Sequence, residues 1–285
     1  MKLLAVSDIH HNLMAVRKLR ASENNSFDAI VVAGDIGSKS AAEFFKILKT
    51  FKCPILYVYG NWDHELGYDE SFGRHCYLVH SNVRALGNFY FTGFSGCPTH
   101  WGENPISQQL WRKLRQDHKS ILKDLSEAKS LHSKRVEVIG DAKAKKPIER
   151  IKKTRAYQQY VFDRKLIKNE TLRLNRESVA KAVKSAEADP GRCIVITHER
   201  FGHLSKLLPG TLLHLFGHIH QFSDKSFKGT RYVDVAALDR PLPPNPANGR
   251  NNRMDFFQDV NAGNYVTIEI NRCLEIVAKP IPLNS

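Results

Sequence analysis

The chain has 285 residues, 42% hydrophobic and 25% charged, an ordinary globular composition with enough apolar content for one large domain or two. Its formal net charge of +14 favours anionic partners such as nucleic acid, nucleotides or phosphorylated surfaces, and says nothing about fold. The apolar start, Met1 to Val6, meets Asp8 too soon for a signal sequence, and no long apolar span follows, so a cytoplasmic protein with no membrane contact is expected.

Five short apolar runs dominate the pattern, each ending on a residue able to hold a metal or a phosphate. The first, Leu3 to Val6, leads into Ser7-Asp8-Ile9-His10. From His11 to Ser22, Leu13, Val16 and Leu19 recur at helical spacing. The second run, Ala29 to Ala33, ends on Gly34-Asp35, and Ala41 to Thr50 carries Phe44, Phe45 and Leu48 on a helical face. The third, Ile55 to Tyr59, ends on Gly60-Asn61. This βαβαβ opening predicts a parallel sheet with crossover helices. Val83 to Gly93 reads as strand around Gly87.

From about Pro105 to Pro190 the pattern changes. Among the apolar residues from Trp111, Leu114 and Ile121 through Tyr160, Val161 and Leu166 to Val179 and Val183, spacings of three and four dominate. Helices are expected, broken near Gly140 and Pro147. Most of the excess positive charge falls in this stretch, which is assigned to residues 104–190 as an inserted basic helical subdomain serving as cap, lid or dimerisation element. The fourth run, Ile194 to Thr197, ends on His198, and the fifth, Leu212 to Phe216, on Gly217-His218-Ile219-His220. Thr230 to Ala236 and a hairpin of Tyr265–Ile270 with Leu274–Ala278 complete the strands. Pro241 to Arg253 is a Pro/Asn-rich loop. The cysteines Cys53, Cys76, Cys97, Cys193 and Cys273 form no Cys-x-x-Cys pair. They read as reduced core thiols and argue against a structural zinc cluster.

Buried parallel strands converge on ligands at their carboxyl ends. In a strand, residues i and i+2 share a face, so Asp8 with His10 and His218 with His220 are each expected to present two ligands to one point. Carboxylate and imidazole suit divalent manganese, iron or zinc. Asp35 is the natural bridging carboxylate, and Gly34 and Gly60 allow close backbone approach. Two cations about 4 Å apart clamp a phosphoryl group and activate a bridging hydroxide for in-line attack on phosphorus.

Asp8-Ile9-His10, Gly34-Asp35, Gly60-Asn61, Thr197-His198 and Gly217-His218-Ile219-His220 together resemble the calcineurin-like metallophosphoesterase superfamily. The order is right, and the motifs span most of the chain outside the insert. The resemblance implies an α/β fold, a four-layer αββα sandwich carrying the basic helical insertion. It implies one metal held by Asp8, His10, Asp35 and His220, and a second by Asp35, Asn61, His198 and His218. It also implies two divalent ions, with manganese first and iron, zinc, nickel or magnesium as alternatives.

Trp62 departs from the family pattern, which has a histidine after the Asn to bind phosphate and protonate the leaving group. Three outcomes remain open: His64 substitutes, the leaving group needs no proton, or turnover is slight. Asn61, His64 and His198 are the expected catalytic residues, and Trp62, His11 and His203 the expected substrate contacts. A packed loop anchor competes with base stacking as the role of Trp62. The Gly-Asp-x-x-Asp-Arg-Gly pattern of protein phosphatases is absent, because Gly34-Asp35 continues as Ile36-Gly37-Ser38.

The expected function is therefore a metal-dependent phosphoesterase acting on a phosphate ester, with a phosphodiester favoured by the basic insert. The alternatives are a nuclease whose insert holds DNA or RNA, and a metal-bound binding module with little or no turnover. A homo-oligomer through the helical insert is a further expected partner relation.

Overall fold

A computed structural model describes residues 1–97, 105–139, 145–235, 237–239 and 263–283. The Pro/Asn-rich loop and the Gly140 break lie outside them. The chain divides into two compact units, Met1–His100 with Asn175–Ser285, and Trp101–Leu174.

The first unit holds two six-stranded mixed sheets. One contains β1 (Lys2–Val6), β2 (Ala29–Ala33), β3 (Ile55–Val58) and β4 (Cys76–Leu78), all parallel. It is closed by β11 (Asn264–Ile270) and β12 (Ile276–Pro282), antiparallel, in the order β12-β11-β1-β2-β3-β4. The other contains β5 (Arg84–Leu86), β6 (Phe89–Phe94), β7 (Cys193–Thr197), β8 (Leu213–Phe216), β9 (Ser223–Phe227) and β10 (Thr230–Asp234), in the order β5-β6-β7-β8-β10-β9. There β6, β7, β8 and β10 are parallel and the edges β5 and β9 antiparallel.

Period-two alternation places both faces of the first sheet in core. Leu4, Val6, Ile30, Val32, Ile55 and Tyr57 pack with Val16 and Leu19 of α1 (Leu13–Ser22) and Phe44, Phe45 and Leu48 of α2 (Ala41–Leu48). Their neighbours Leu3, Ala5, Val31, Leu56 and Val58 face Phe91, Ile194, Ile196, Leu215 and Val233 of the second sheet. The two sheets thus share an apolar interior, as the sandwich expectation requires. Fully burying each large aliphatic or aromatic side chain stabilises by roughly 1.5–3 kcal/mol. Asn12 caps α1 by accepting from Ala15 N–H at 3.1 Å.

Two strands carry no apolar run that announces them. β4 is three half-buried residues, and β9, Ser-Asp-Lys-Ser-Phe, is a largely exposed edge. The Val83–Gly93 segment resolves into the β5–β6 hairpin.

The second unit is helical: α3 (Pro105–Asp117), α4 (Lys119–Ile139), α5 (Lys146–Lys152) and the first part of α6 (Arg155–Ser185). Leu114, Ile121 and Tyr160 form a small core with Trp111, Leu122, Ile151, Tyr157 and Ile167. His118 Nε2 lies 2.9 Å from Asp163 Oδ2. Val161 and Leu166, apolar and at helical spacing, are nonetheless exposed. In the first unit the end of α6 buries Asn175, Val179 and Val183, one stripe at intervals of four.

Candidate metal centre

The carboxyl ends of β1, β2, β3, β6, β7, β8 and β10 carry the residues that meet here. The geometry that brings them together differs from the strand pairing expected from sequence. β1 stops at Val6 and β8 at Phe216, so Asp8, His10, His218 and His220 lie beyond the strands. Each has left-handed backbone, with φ of 52°, 48°, 73° and 59°, and Asp35 joins them at 54°. The two pairs still converge, but through turns rather than a shared strand face. Such conformations cost non-glycine residues about 1–3 kcal/mol each, and they persist only where surrounding bonds impose them. Here Ile9 and His10 N–H donate to Asp35 O at 2.8 and 3.0 Å, and Asp8 N–H to Gly34 O at 3.1 Å. Leu238 and Asp239 N–H donate to Ser7 O and Asp8 O at 2.9 and 3.0 Å.

Asp35 sits at the middle. Its Oδ2 is 3.3 Å from His10 Nε2 and 3.2 Å from His198 Nε2, while Oδ1 accepts from Trp62 N–H at 2.8 Å. Asp8 Oδ1 lies 3.1 Å from His220 Nε2, 3.9 Å from His10 Nε2 and 4.0 Å from His198 Nε2. Asp8 Oδ2 accepts from Ser7 Oγ at 2.7 Å and from His218 N–H at 3.0 Å. His218 Nδ1 is 3.2 Å from His198 Nε2. His198 Nδ1 donates to Ala33 O at 2.9 Å, which turns its Nε2 toward the carboxylates. Asp8 and His198 are wholly buried and Asp35 nearly so. Two glycines permit this density. A Cβ on Gly60 would strike the Asp35 carboxylate, and one on Gly217 would strike Ser7 Oγ and the Asp8 carboxylate.

Burial works against charge on both carboxylates, yet the neighbouring imidazoles prevail. Asp8 is held below the usual carboxylate range by His220 and His198, and Asp35 by His198, His10 and the Trp62 N–H. Burial also opposes charge on the imidazoles. Asp239 and Asp35 nevertheless raise His10 to about 9, and Asp35 and Asp8 raise His198 to about 10. His218 is lowered by burial and by the charge of His198.

The expected ligands Asp8, His10, Asp35, His198, His218 and His220 are therefore brought together, and Asn61 stands beside them on a short turn, Asn61–Asp63. Trp62 is 41% exposed, with its ring 4.7 Å from that of His10. His64 is exposed, its Nδ1 3.2 Å from Asn61 O. His11, Ser38, Lys39, Asn61, Trp62, His64 and Glu65 line an open cleft of about 410 Å³. His203 is exposed at the start of α7 (Leu204–Leu207) and does not line that cleft.

Three contributors went unnoticed in the sequence. Asp239 Oδ2 is 3.5 Å from His10 Nδ1, and its Oδ1 accepts from Asn12 Nδ2 at 2.7 Å. Asp63 is buried and accepts from Gly60, Gly37 and Ile36 N–H at 2.7, 2.7 and 3.3 Å, tying the β2 and β3 loops together. Cys97, wholly buried, follows β6 as Ser95-Gly96-Cys97. The strand, glycine and polar stop resemble those after β2 and β3, but Thr92, Gly93 and Ser95 interrupt the apolar run and obscure the signal.

The donors are of the kind that hold a divalent cation. Asp8 Oδ1 is wholly buried and ringed by the ring nitrogens of His220, His10 and His198, a carboxylate and imidazole set suited to a divalent cation. The sets Asp8/His10/His220, Asp8/Asp35/His198 and Cys97/His198/His218 each place their ligand atoms within 4.8 Å of one another.

The model of the calcineurin-like phosphoesterase superfamily domain matches residues 1–248. No curated protein matches the chain. Among solved structures, the Thermus thermophilus protein TT1561 is 15% identical, with 99% of each chain covered and a TM-score of 0.53, a likeness of fold. A predicted phosphoesterase from Streptococcus pneumoniae is 11% identical over 99% of this chain and 97% of its own, at TM-score 0.37. The phosphopantetheinyl hydrolase of Mycobacterium tuberculosis is 14% identical over 83% of this chain and 89% of its own, also at 0.37. With the motifs, the sandwich and the clustered ligands in place, the match over residues 1–248 establishes that the chain belongs to the calcineurin-like phosphoesterase superfamily.

Proposed function

We propose that the protein hydrolyses a phosphodiester with the help of two divalent cations. The observation that carries this reading is Asp35 Oδ2, poised between His10 Nε2 and His198 Nε2 at 3.3 and 3.2 Å. One carboxylate oxygen there serves two histidine sets. Asp8, His10, Asp35 and His220 would hold one cation, and Asp35, Asn61, His198 and His218 the other. When bound, the cations supply Lewis-acid polarisation of the phosphoryl group and activation of water.

The chain's own groups orient this centre. Asp239 steers His10, the Ala33 carbonyl steers His198, and the Trp62 N–H fixes Asp35. Asn61 and His198 act at the reacting phosphate. The adjoining cleft offers the Lys39 charge, the His11 and His64 imidazoles and the Trp62 face. This combination suits an anionic ester bearing an aromatic or nucleobase group, since stacking contributes about 1–3 kcal/mol per base. His64, which lines that cleft, would be the group that hands a proton to the leaving group.

The test is metal content measured together with turnover of aryl mono- and diesters, cyclic nucleotides, DNA and RNA, across manganese, iron, zinc and nickel. Diester hydrolysis by wild type is expected, with loss of both metal and turnover in Asp35→Asn. Full activity in Asp35→Asn would refute the mechanism. Two bound metals with no turnover on any substrate would make the protein a binding module.

A further inference from the structure

Cys97 stands apart from the other buried cysteine. Cys193 opens β7 in the apolar interior, whereas Cys97 lies among polar atoms. The turn that carries it is fastened to the end of β3. Tyr59 N–H donates to Ser95 Oγ at 2.9 Å, and Gly96 N–H to Tyr59 O at 2.7 Å. Behind it, Ser95 N–H donates to His80 Nδ1 at 2.8 Å. The thiol therefore reaches Asn61 on constrained backbone, with Sγ 3.3 Å from Asn61 Oδ1. Its sulfur and one ring nitrogen each from His198 and His218 lie within 4.8 Å of one another.

We propose that Cys97 Sγ is a ligand of the cation held by Asp35, Asn61, His198 and His218, and that it biases this half of the centre toward zinc or iron(II). The inference rests on the two-cation reading above. Ligation forms a sulfur–metal bond and releases the thiol proton, now directed at Asn61 Oδ1, to solvent. The freed amide oxygen then faces the same cation. Thiolate favours softer ions, whereas carboxylate and carbonyl oxygen suit magnesium and manganese. The other half, Asp8, His10, Asp35 and His220, offers only oxygen and nitrogen. The two halves therefore differ in metal preference, and a mixed pair is the natural loading.

Cobalt(II) titrated into the metal-stripped full chain tests this, followed by absorption and bound-metal analysis. Wild type is expected to bind two cobalt ions and to show a near-ultraviolet sulfur-to-cobalt charge-transfer band. Cys97→Ser loses that band while still taking up cobalt at the Asp8 half, and Cys273→Ser, altered at the exposed cysteine, keeps it. Zinc affinity at one site falls at least about tenfold in Cys97→Ser, with manganese affinity little changed. Two bound cobalt ions without the band in wild type would overturn the role of Cys97 and leave the two-cation reading standing. No cobalt binding would overturn both. Because the wild-type spectrum decides alone, a Cys97→Ser chain that fails to fold does not shield the proposal, and Cys97→Ala serves as the second variant.

Discussion

Acid should loosen the strand pair that carries His198 and His218, and His214 shows by how much. His214 lies wholly buried in β8, with Nε2 2.8 Å from Thr197 Oγ1. The Thr197 hydroxyl donates to Glu199 O at 2.6 Å, so it accepts from the ring, and the imidazole is neutral with its proton on Nε2. Nδ1 makes no hydrogen bond, and a proton placed there would be a buried charge without an acceptor. Burial, with the Arg200 charge adding to it, lowers the pKa from 6.5 to about 3. The unfolded chain therefore takes up the proton first. The contribution is intact above the unfolded value and drains away as pH falls toward the folded one. The loss is about 2 kcal/mol at pH 5 and about 4 kcal/mol near pH 3. His80, lowered by burial to about 4, adds a loss of the same sign. The raised histidines His10 and His198 contribute with the opposite sign in the cation-free chain, so a single pH curve does not isolate His214. Urea unfolding of wild type and His214→Gln at pH 7 and pH 5 does, because every other group is common to both. Wild type should lose about 2 kcal/mol more than the variant between the two pH values. Equal losses would refute the reasoning.

Asp239→Asn removes the carboxylate that steers His10 and should weaken cation binding about 10–100-fold, measured by competition with a chromophoric chelator; an unchanged affinity would remove Asp239 from the centre. Gly217→Ala drives a Cβ into Ser7 and the Asp8 carboxylate. It should cost about 1–3 kcal/mol of stability and displace Asp8, read as a lower melting temperature together with weaker metal uptake. His64→Ala should slow esters with poor leaving groups more than aryl esters in steady-state assays, and an equal fall in both would count against a proton at His64.

The strands buried on both faces were plain in the sequence, because β1, β2, β3, β7 and β8 are largely apolar runs with polar stops, broken inside β8 only by His214. β4 and β9 were not, since a short half-buried strand and a charged edge owe their existence to their neighbours' hydrogen bonds. The ligand positions were legible as motifs, but the reason for their convergence was not. Period-two logic fails where the backbone turns left-handed, and only the bonds between turns that Asp35 O and Asp8 O accept reveal why it does. Asp239 was hidden for a different reason: its value lies in reaching Asn12 and His10 from the far side of the chain.

That reach has a consequence for synthesis. The Asn12–Asp239 bond joins residues 227 apart, and His220 and His218 meet Asp8 across nearly the same span. A ribosome-bound chain holding only the first half of the sequence has Asp8, His10 and Asp35 but lacks His198, His218, His220 and Asp239. A cation bound at these groups would therefore act as a late-arriving clamp on the finished sheets, and a free pool at about a thousand times the dissociation constant would add about 4 kcal/mol to the fold.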